Sequence, residues 1–358
     1  MNFDLSDEQL LLQDTVRQFL ENECPPSRLR ELFEGDDAID PVLWKGMVEL
    51  GMAGLHLPEA VGGAGLELLD LALVAEVMGH HGTPGPFFGH SLAGLALALG
   101  GSPGQRERWL PRLAAGDVLG TVAWSEQGAR WQPDEWALSA EGGLSGAKLH
   151  VPFAAAADLL VVGLAGGELA LVERGAPGVE IHPLESADRT RRLDRVDFAQ
   201  TPCEQLERGR DAAPRVRDAA LVLLAADAFG GASRLVEMAV EYAKTREQFG
   251  VVIGQFQALK HQLANMAVEV EPARGLYWYA AHAFDHVPEE AERSAALAKA
   301  HVSDRFMQVA RDTVEAHGGI GFTWECDVQI WFKRALFDRA FLGTPAVHRE
   351  RAAALAEW

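Results

Sequence analysis

The sequence predicts a mainly α-helical protein with a central β domain and a C-terminal four-helix bundle. Two changes of hydrophobic period carry this prediction. Apolar residues recur at helical spacing up to about residue 118, alternate at strand spacing over about 119–212, and return to helical spacing afterwards. The chain has 358 residues, enough for two or three domains. We therefore expect an N-terminal helical domain over 1–118, a β domain over 119–212 and a helical bundle over 213–358.

The charge balance of the chain is strongly acidic, with 32 basic and 52 acidic residues and a formal net charge of −20. This charge repels nucleic acid and anionic membranes, so we expect neither as a partner. The sequence contains no run of about eighteen apolar residues, which predicts that no segment spans a membrane. An anionic substrate would need a local basic pocket.

The N-terminus and the cysteines indicate a reducing compartment. The opening MNFDLSDEQLL lacks a basic region followed by an apolar stretch, which argues against export. Cys24, Cys203 and Cys326 are scattered without metal-ligand spacing. We expect a cytoplasmic protein with packing cysteines and no metal site.

The first domain contains recognisable helix signals. Ser6 and Gln9 have the spacing of a capping box, Pro25-Pro26 ends that helix, and Gly51 ends a second helix that begins at about Pro41. The loop LPEAVGGAGL precedes a further helix and could cradle a phosphate. No strand precedes the loop and no Lys or Ser/Thr closes it, so a tight connection is favoured. Two more helices are expected over about 91–99 and 103–115.

The β domain is predicted from short β-leaning runs that turn residues separate. The runs are LGTVAWSE, WALSAEGGLSGAKLHV, ADLLVVGLAGGELALVERG, VEIHPLE and RLDRVDFAQ. After them, one long helix is expected over 215–246. Its mid-helix Gly230-Gly231 is costly in isolation and predicts close approach of another helix or a ligand. Further helices are expected over about 255–286, 291–316 and 328–342, with a break at HGGIGFTWECD.

The stretch YAKTREQFGVVIGQFQALKH, over 242–261, forms a predicted corner between two helices, since Gly250 and Gly254 interrupt the helical pattern. The corner presents a cation, amides and aromatic rings, which suit an anionic, planar ligand. A solvated turn with two core phenylalanines is the alternative. The residues concerned are Arg246, Gln248, Phe249, Phe256 and Gln257.

The domain order and three phrases resemble the acyl-CoA dehydrogenase family of flavoproteins over essentially the whole chain. The phrases are YAKTREQFG…FQALKHQLANM, EAHGGIGFTWECDVQIWFKRA and GAKLHVPFAAAADLLVV. The resemblance implies FAD-dependent α,β-dehydrogenation of an acyl-CoA in lipid metabolism. It also implies that FAD lies between a small β-barrel domain and the bundle, in a homo- or hetero-oligomer of the dimer or tetramer type.

The resemblance assigns most cofactor contacts to the corner. Arg246 matches the arginine that meets the FAD pyrophosphate of the neighbouring subunit. Gly318 and Gly319 match glycines that allow close approach to the same FAD, although they could also form a helix C-cap. Glu315 stands where the family usually has Gln. The remaining matched positions are Gln248, Phe249, Ile253, Phe256, Gln257 and, in the β domain, Ser125.

The β domain departs from the family pattern. WSEQGARWQPDEW keeps Ser125 and Glu126 but lacks the family's G-S-D element. The tryptophan and threonine that face the flavin ring in the family would fall near His150 and Pro152. Contacts to the ring must therefore differ from the usual set.

The catalytic base is the largest departure. Leu342 stands where most members of the family have Glu, and Ala220 stands where a minority have it. Asp218 and Asp227 on the long helix are candidates for a relocated base or, alternatively, ordinary helix carboxylates. Some bacterial members are heteromers in which another chain supplies the base, and this sequence resembles their deficient chains.

Three functions stay open at this point. The first and favoured one is an acyl-CoA dehydrogenase subunit that lacks its usual Glu. The second is a non-catalytic flavin- or CoA-binding subunit. The third is another flavin reaction, such as an oxidase or monooxygenase, since a fold does not fix its chemistry.

Overall fold

The structure, a computed structural model, describes residues 4–37 and 39–356. Two compact units are formed from separate stretches of the chain. The helical unit contains residues up to Phe33, Ala72–Thr83 and the chain from Leu221 onward, and the mixed unit contains Glu34–Leu71 and Pro84–Ala220. The predicted boundaries at 118/119 and 212/213 stay predictions.

Helices dominate the architecture. They are α1 Asp7–Glu23, α2 Pro26–Glu34, α3 Pro41–Glu49, α4 Leu68–His81, α5 Phe87–Gly100, α6 Pro103–Ala114, α7 Gly209–Thr245, α8 Gln257–Val270, α9 Arg274–His286, α10 Pro288–His317, α11 Val328–Ala340 and α12 Pro345–Leu355. The strands are β1 Gly120–Ala123, β2 Leu144–Pro152, β3 Leu159–Leu164, β4 Glu168–Glu173, β5 Val179–Leu184, β6 Leu193–Thr201, β7 Glu204–Gln205, β8 Glu247–Gln248 and β9 Val251–Val252.

The predicted helix signals of the N-terminal part are confirmed. The Ser6 hydroxyl accepts from the Gln9 amide at 3.2 Å, and the Gln9 side chain accepts from the Ser6 amide at 3.1 Å. Gly51 adopts φ +76° directly after α3. Helix α2 was not predicted from the sequence; it begins at Pro26 because a proline is tolerated in the first turn of a helix.

The glycine-rich loop before α4 is a tight connection. A Cβ built on Gly63 would lie 2.1 Å from the Leu57 carbonyl oxygen, so the loop backbone packs against itself. This packing explains the glycine without a phosphate, and it confirms the favoured interpretation of LPEAVGGAGL.

Two sheets form the β part of the mixed unit. The four-stranded sheet has the order β1-β3-β4-β7, with β1 and β3 parallel, and the three-stranded antiparallel sheet has the order β2-β6-β5. Apolar side chains from both sheets, such as Val162 and Val196, share one core. An isolated bridge joins Ser125 to Leu149 of β2.

Reciprocal glycines join α4 to α7 within the helical unit. A Cβ built on Gly230 would lie 1.9 Å from the Glu76 carbonyl oxygen, and one built on Gly79 would lie 2.1 Å from that of Asp227. A Cβ built on Gly231 would lie 2.4 Å from the tip of the Phe306 ring on α10. The predicted close approach at Gly230-Gly231 is therefore confirmed, and its partners are helices.

Helix α7 is long and apolar enough to cross a membrane, but 83% of its apolar 18-residue stretch is buried inside the protein. It is therefore a core helix of the bundle. The single helix expected over 255–286 is wrong: Pro272 lies in a 3-10 turn, Glu271–Ala273, that separates α8 from α9. Proline lacks the N–H that a continuous helix would need there.

Candidate functional site

The corner over 242–261 contains a β-hairpin instead of the plain interhelical turn that we expected. Strands β8 and β9 pair antiparallel, Glu247 with Val252 and Gln248 with Val251. Phe249 and Gly250 fill the two-residue turn with φ of +57° and +80°, the signs of a type I′ turn. A 3-10 turn, Ile253–Gln255, then leads into α8, which starts at Gln257.

Arg246 is an exposed cation at the base of this hairpin. Its carbonyl accepts from the Ile253 amide at 2.8 Å, which closes the hairpin. Its guanidinium forms no ion pair within residues 4–37 and 39–356. The neighbouring Gln248 side chain donates only to the Glu247 carbonyl, at 2.7 Å. Arg246 is thus available to an anion from outside the chain.

The hairpin also carries exposed aromatic rings. Phe249 is 93% exposed, and its ring meets that of Phe256 edge to face at 6.1 Å. A phenylalanine in the left-handed region costs on the order of 1–3 kcal/mol. Because Phe249 recovers little of this by burial, its position suits contact with a ligand or another chain. Gln257 is exposed in the first turn of α8, and Ile253 is half-buried.

The second segment that the sequence predicts to contact the cofactor, Gly318-Gly319, lies beside the hairpin. The Tyr242 ring on α7 stacks on the His317 ring at the end of α10, with 4.4 Å between centroids. Gly318 follows with φ +65°, and a Cβ built on Gly318 or Gly319 meets nothing within 4 Å. The stack therefore brings the glycine pair close to Arg246, with open space in front of the glycines.

Ser125 belongs to the mixed unit and has different neighbours. Its Oγ lies 3.4 Å from Nδ1 of His150, whose ring stacks on Trp131 at 5.6 Å. His150 adopts φ +52° in an irregularity of β2 between Lys148 and Val151, and such bulges redirect side chains. Burial lowers the pKa of His150. The sequence analysis did not single out Trp131, because nothing in its spacing marks the stack.

Glu126 has a structural role in the same unit. It forms a buried ion pair with Lys148 at 2.6 Å and accepts from the backbone amides of Ala137 and Leu138 at 2.9 and 3.0 Å. Burial lowers the pKa of Lys148 to about 8, although the Glu126 carboxylate opposes this shift. The pair fixes the loop that leads to the Trp131–His150 stack.

Leu342 lies in a constrained turn after α11. It is 1% exposed and adopts φ +59°. The His348 Nε2 donates to its carbonyl at 3.1 Å, and the buried Lys299 donates to the carbonyls of Asp338 and Gly343. Burial lowers the pKa of Lys299 to about 7, against the opposing charge of Asp338. The turn is rigid, but position 342 offers no titratable group.

The two candidate carboxylates are engaged by arginines. Asp227 accepts two hydrogen bonds from Arg334, at 2.5 and 2.8 Å, and both side chains are buried. Asp218 accepts two from its neighbour Arg217, at 2.8 and 3.0 Å. This geometry favours structural roles, because each carboxylate already balances a buried cation. Neither residue is identified as the base.

The remaining titratable groups include no cluster of possible metal ligands in the described part of the chain. Within the described ranges, no group of three or more His, Cys, Asp or Glu side chains could hold a metal ion. Burial raises the pKa of the Cys203 and Cys326 thiols, so neither is activated as a nucleophile.

Comparison with known proteins defines the family. Residues 6–117 match the acyl-CoA dehydrogenase N-terminal domain, and 217–356 match the acyl-CoA dehydrogenase C-terminal domain. The chain belongs to the acyl-CoA dehydrogenase family of FAD flavoproteins, oxidoreductases that act on CH–CH bonds. The predicted family, fold class, enzyme class and cofactor are confirmed, as is acyl-CoA dehydrogenation as the general reaction.

Three relatives within this family are similar to the chain over nearly its whole length. Acyl-CoA dehydrogenase IpdE2 of Mycolicibacterium smegmatis is 34% identical over 342 residues, covering 95% of this chain and 96% of the relative. A variant of the Tcur3481-Tcur3483 steroid ACAD superimposes with a TM-score of 0.90 at 32% identity, covering 98% of both chains. The ChsE4-ChsE5 complex from Mycobacterium tuberculosis gives 0.88 at 28% identity, covering 100% of both.

Proposed function

We propose that this chain is an FAD-binding subunit of an acyl-CoA dehydrogenase whose general base comes from a different, paralogous chain. The observation that carries the proposal is Leu342, an apolar and buried side chain in a turn that Lys299 and His348 hold rigidly. Asp227 and Asp218 are engaged by arginines, so they do not supply a ready replacement.

The donor set of the corner fits the FAD pyrophosphate. Arg246 is an exposed guanidinium, a group that matches phosphate oxygens with parallel hydrogen bonds. The open space before Gly318 and Gly319 would let a phosphate reach the backbone. We assign the adenine end to Ile253, Phe256 and Gln257, and further contacts to Gln248 and Phe249. Ser125 would contact the cofactor from the mixed unit.

The proposal divides the reaction between two chains: this chain binds the cofactor, and the partner supplies the group that removes the α proton. A bound FAD would supply the hydride acceptor for the β hydrogen of the acyl-CoA. The α proton must go to a carboxylate at the same time, and position 342 of this chain has none. Because Leu342 is apolar and buried, the proton acceptor in this proposal comes from the partner chain.

The relatives support an assembly of two kinds of chain. The Tcur3481-Tcur3483 and ChsE4-ChsE5 proteins each carry two names, and both share this fold over nearly their whole length. The exposed Phe249 and Arg246 fit a corner that reaches into a neighbouring subunit. A homo-oligomer is the alternative, and the composition of the purified assembly distinguishes the two.

The test compares the chain alone with the assembly purified from its native host. Turnover would be followed with butyryl-CoA, octanoyl-CoA and a steroid side-chain acyl-CoA. We expect the isolated chain to turn over about 10²–10⁴-fold more slowly than the assembly. Leu342→Glu in the isolated chain should recover part of the rate, whereas the matched Leu342→Gln should not.

Full turnover by the isolated chain would refute the proposal. If Asp227→Asn or Asp218→Asn then abolished the rate, the base would be relocated within this chain. Flavin absorption that acyl-CoA does not bleach, even in the assembly, would indicate a non-catalytic subunit. Rapid oxygen consumption by the reduced protein would indicate an oxidase or monooxygenase.

We also propose a cytoplasmic location. Its support is that Cys24, Cys203 and Cys326 are thiols and not disulfides. Fractionation of the native host tests the location directly, and recovery of the protein outside the cytoplasm would contradict it.

A further inference from the structure

A polar cavity of about 380 Å³ lies inside the helical unit, between α1, α4, α7 and α9. Small-molecule pockets begin at roughly 300 Å³, so the cavity can hold a compact ligand. Its lining is charged, in contrast to the apolar lining of most ligand pockets. None of its lining residues belongs to the hairpin, the glycine pair or the turn at Leu342.

Arg274 of α9 is the best-placed group in this cavity. Its guanidinium carbon lies 4.9 Å from the centre of the Phe229 ring and 5.9 Å from that of Trp278. Its Nε is buried and has no hydrogen-bond partner in the described structure. The ion pair that it does form, with the exposed Glu271, is long at 3.6 Å. The two rings thus contact a guanidinium whose Nε–H has no hydrogen-bond acceptor in the described structure.

The acidic groups of the cavity are already satisfied. Glu237 pairs with His80 at 2.9 Å and with Arg234 at 3.2 Å. Glu76 accepts from the Tyr277 hydroxyl and from Gln13 Nε2, the latter at 3.2 Å. Burial raises the pKa of Glu76, against the hydrogen bonds from Tyr277 and Gln13 and the charges of Arg274 and Arg17, which lower it.

Two further polar side chains line the cavity with Arg274. Arg17 enters from α1 and pairs with Asp14 on its own helix. Ser233 of α7 contributes a hydroxyl, which donates to the Phe229 carbonyl at 2.9 Å and can still accept. The cavity therefore combines two guanidiniums with carboxylates that already accept hydrogen bonds from other side chains.

We infer that this cavity is a binding site for a small oxyanion, the carboxylate or phosphate group of a compact metabolite, with Arg274 as its main ligand-binding residue and Arg17 as the second. A bound anion would connect four helices that come from separate parts of the chain. Occupancy would therefore stabilise the helical unit, as a ligand that binds only the folded state does. This site is independent of the dehydrogenation proposed above.

The test uses the full chain with its flavin, in a buffer free of phosphate and carboxylates. Inorganic phosphate and succinate are titrated separately by calorimetry and by thermal unfolding. We expect one or both to bind and to raise the Tm. Arg274→Gln should weaken binding by about tenfold to a hundredfold, because it removes charge-assisted hydrogen bonds. Arg17→Gln should weaken it less.

The matched control is Arg311→Gln, which removes an exposed arginine of α10 outside the cavity and should leave binding unchanged. A response to phosphate alone or to succinate alone identifies the oxyanion and supports the site. No binding of either anion at millimolar concentration would overturn the inference. Equal binding by wild type, Arg274→Gln and Arg17→Gln would overturn it too, even if one variant were less stable.

Discussion

The hairpin after α7 and the turn after α11 both have a constrained backbone, but the side chains of the hairpin are exposed whereas Leu342 of the turn is buried. At the hairpin, Arg246 and Phe249 are exposed, and Arg246 has no ion-pair partner within the described ranges. At the turn, Leu342 is buried and its backbone is held by Lys299 and His348. Both turns place a residue other than glycine at positive φ, at 57° for Phe249 and 59° for Leu342.

This difference agrees with the proposal that the chain binds the cofactor through the hairpin but does not supply the general base. Groups that meet something outside the chain stay solvated and unpaired until that partner arrives, so they contribute little to the fold. Leu342, in contrast, contributes to the core and offers no proton acceptor. The chain therefore retains a strained backbone at both places, but it retains a chemically useful side chain only at the hairpin.

The largest expected effect concerns the buried interior. Arg334→Met removes the guanidinium that balances Asp227, and leaving a buried charge uncompensated costs about 3–5 kcal/mol. Urea unfolding should show this loss, with Lys45→Met as the control because Lys45 forms only an exposed pair at 3.6 Å with Glu49. A loss of unfolding free energy below about 1 kcal/mol would mean that the interior tolerates the unpaired Asp227 carboxylate, so that the buried and exposed regions would not differ as described.

Acid should weaken the interior of the mixed unit while leaving the exposed hairpin unchanged. Burial lowers the pKa of His90 to about 4, and its ring is fixed as a neutral tautomer: Nδ1 accepts from the Gly120 amide at 3.2 Å and Nε2 donates to the Ala53 carbonyl at 3.1 Å. The unfolded state binds the proton first, near pH 6.5. The stabilisation is therefore complete above pH 6.5 and declines by about 3 kcal/mol as the pH falls to about 4.

Urea unfolding at a series of pH values measures this slope. His90→Gln should flatten the part of the curve between about pH 6.5 and pH 4, because glutamine does not titrate. An identical slope in wild type and variant would show that other groups, not His90, cause the acid sensitivity.

Arg246→Ala tests the exposed region. Losing the charge-assisted hydrogen bonds that we propose between Arg246 and the pyrophosphate should weaken FAD binding by about tenfold to a hundredfold. The free energy of unfolding of the flavin-free chain should change by less than about 0.5 kcal/mol, since the side chain is exposed. Flavin absorbance per chain after gel filtration measures the first effect, with Arg311→Ala as the control. Retained flavin together with an unchanged assembly state would remove Arg246 from the cofactor site.

The smallest effect is expected at Phe249. Asparagine tolerates the left-handed region, and Asn-Gly is the preferred type I′ turn. Phe249→Asn should therefore stabilise the flavin-free chain by up to about 1 kcal/mol and weaken its binding to flavin or to the partner subunit. A variant that is both more stable and equally competent in binding would show that Phe249 has no role in recognition.

The sequence predicted the long elements well, because their signals are local. The capping box at Ser6 and the helix end at Gly51 both depend on a few adjacent residues. The hairpin was missed because Phe249, a poor residue for positive φ, occupies its turn and concealed the Gly250 signal. The break at Pro272 was also missed, because the apolar residues on both sides keep helical spacing and this spacing predicted one continuous helix.

For the candidate site, sequence motifs point only to its exposed half, and the assignment of that half stays a prediction. Arg246 and the glycine pair stand in recognisable motifs, whereas Lys299 and His348 reach Leu342 from other helices and share no sequence pattern with it. The same holds for the pairing of Asp227 with Arg334, which tertiary packing alone decides. Sequence can indicate that a carboxylate is present, but not whether another residue already engages it.

The reciprocal glycines of α4 and α7 have a consequence for the mutability of the chain. At Gly79 and Gly230 a methyl group would collide with a carbonyl oxygen of the opposite helix, at 2.1 and 1.9 Å. No rotamer can relieve that collision, because both colliding atoms are fixed by the backbone. In a library of all single substitutions, these two codons should tolerate no replacement, and even the smallest side chain should separate the helices.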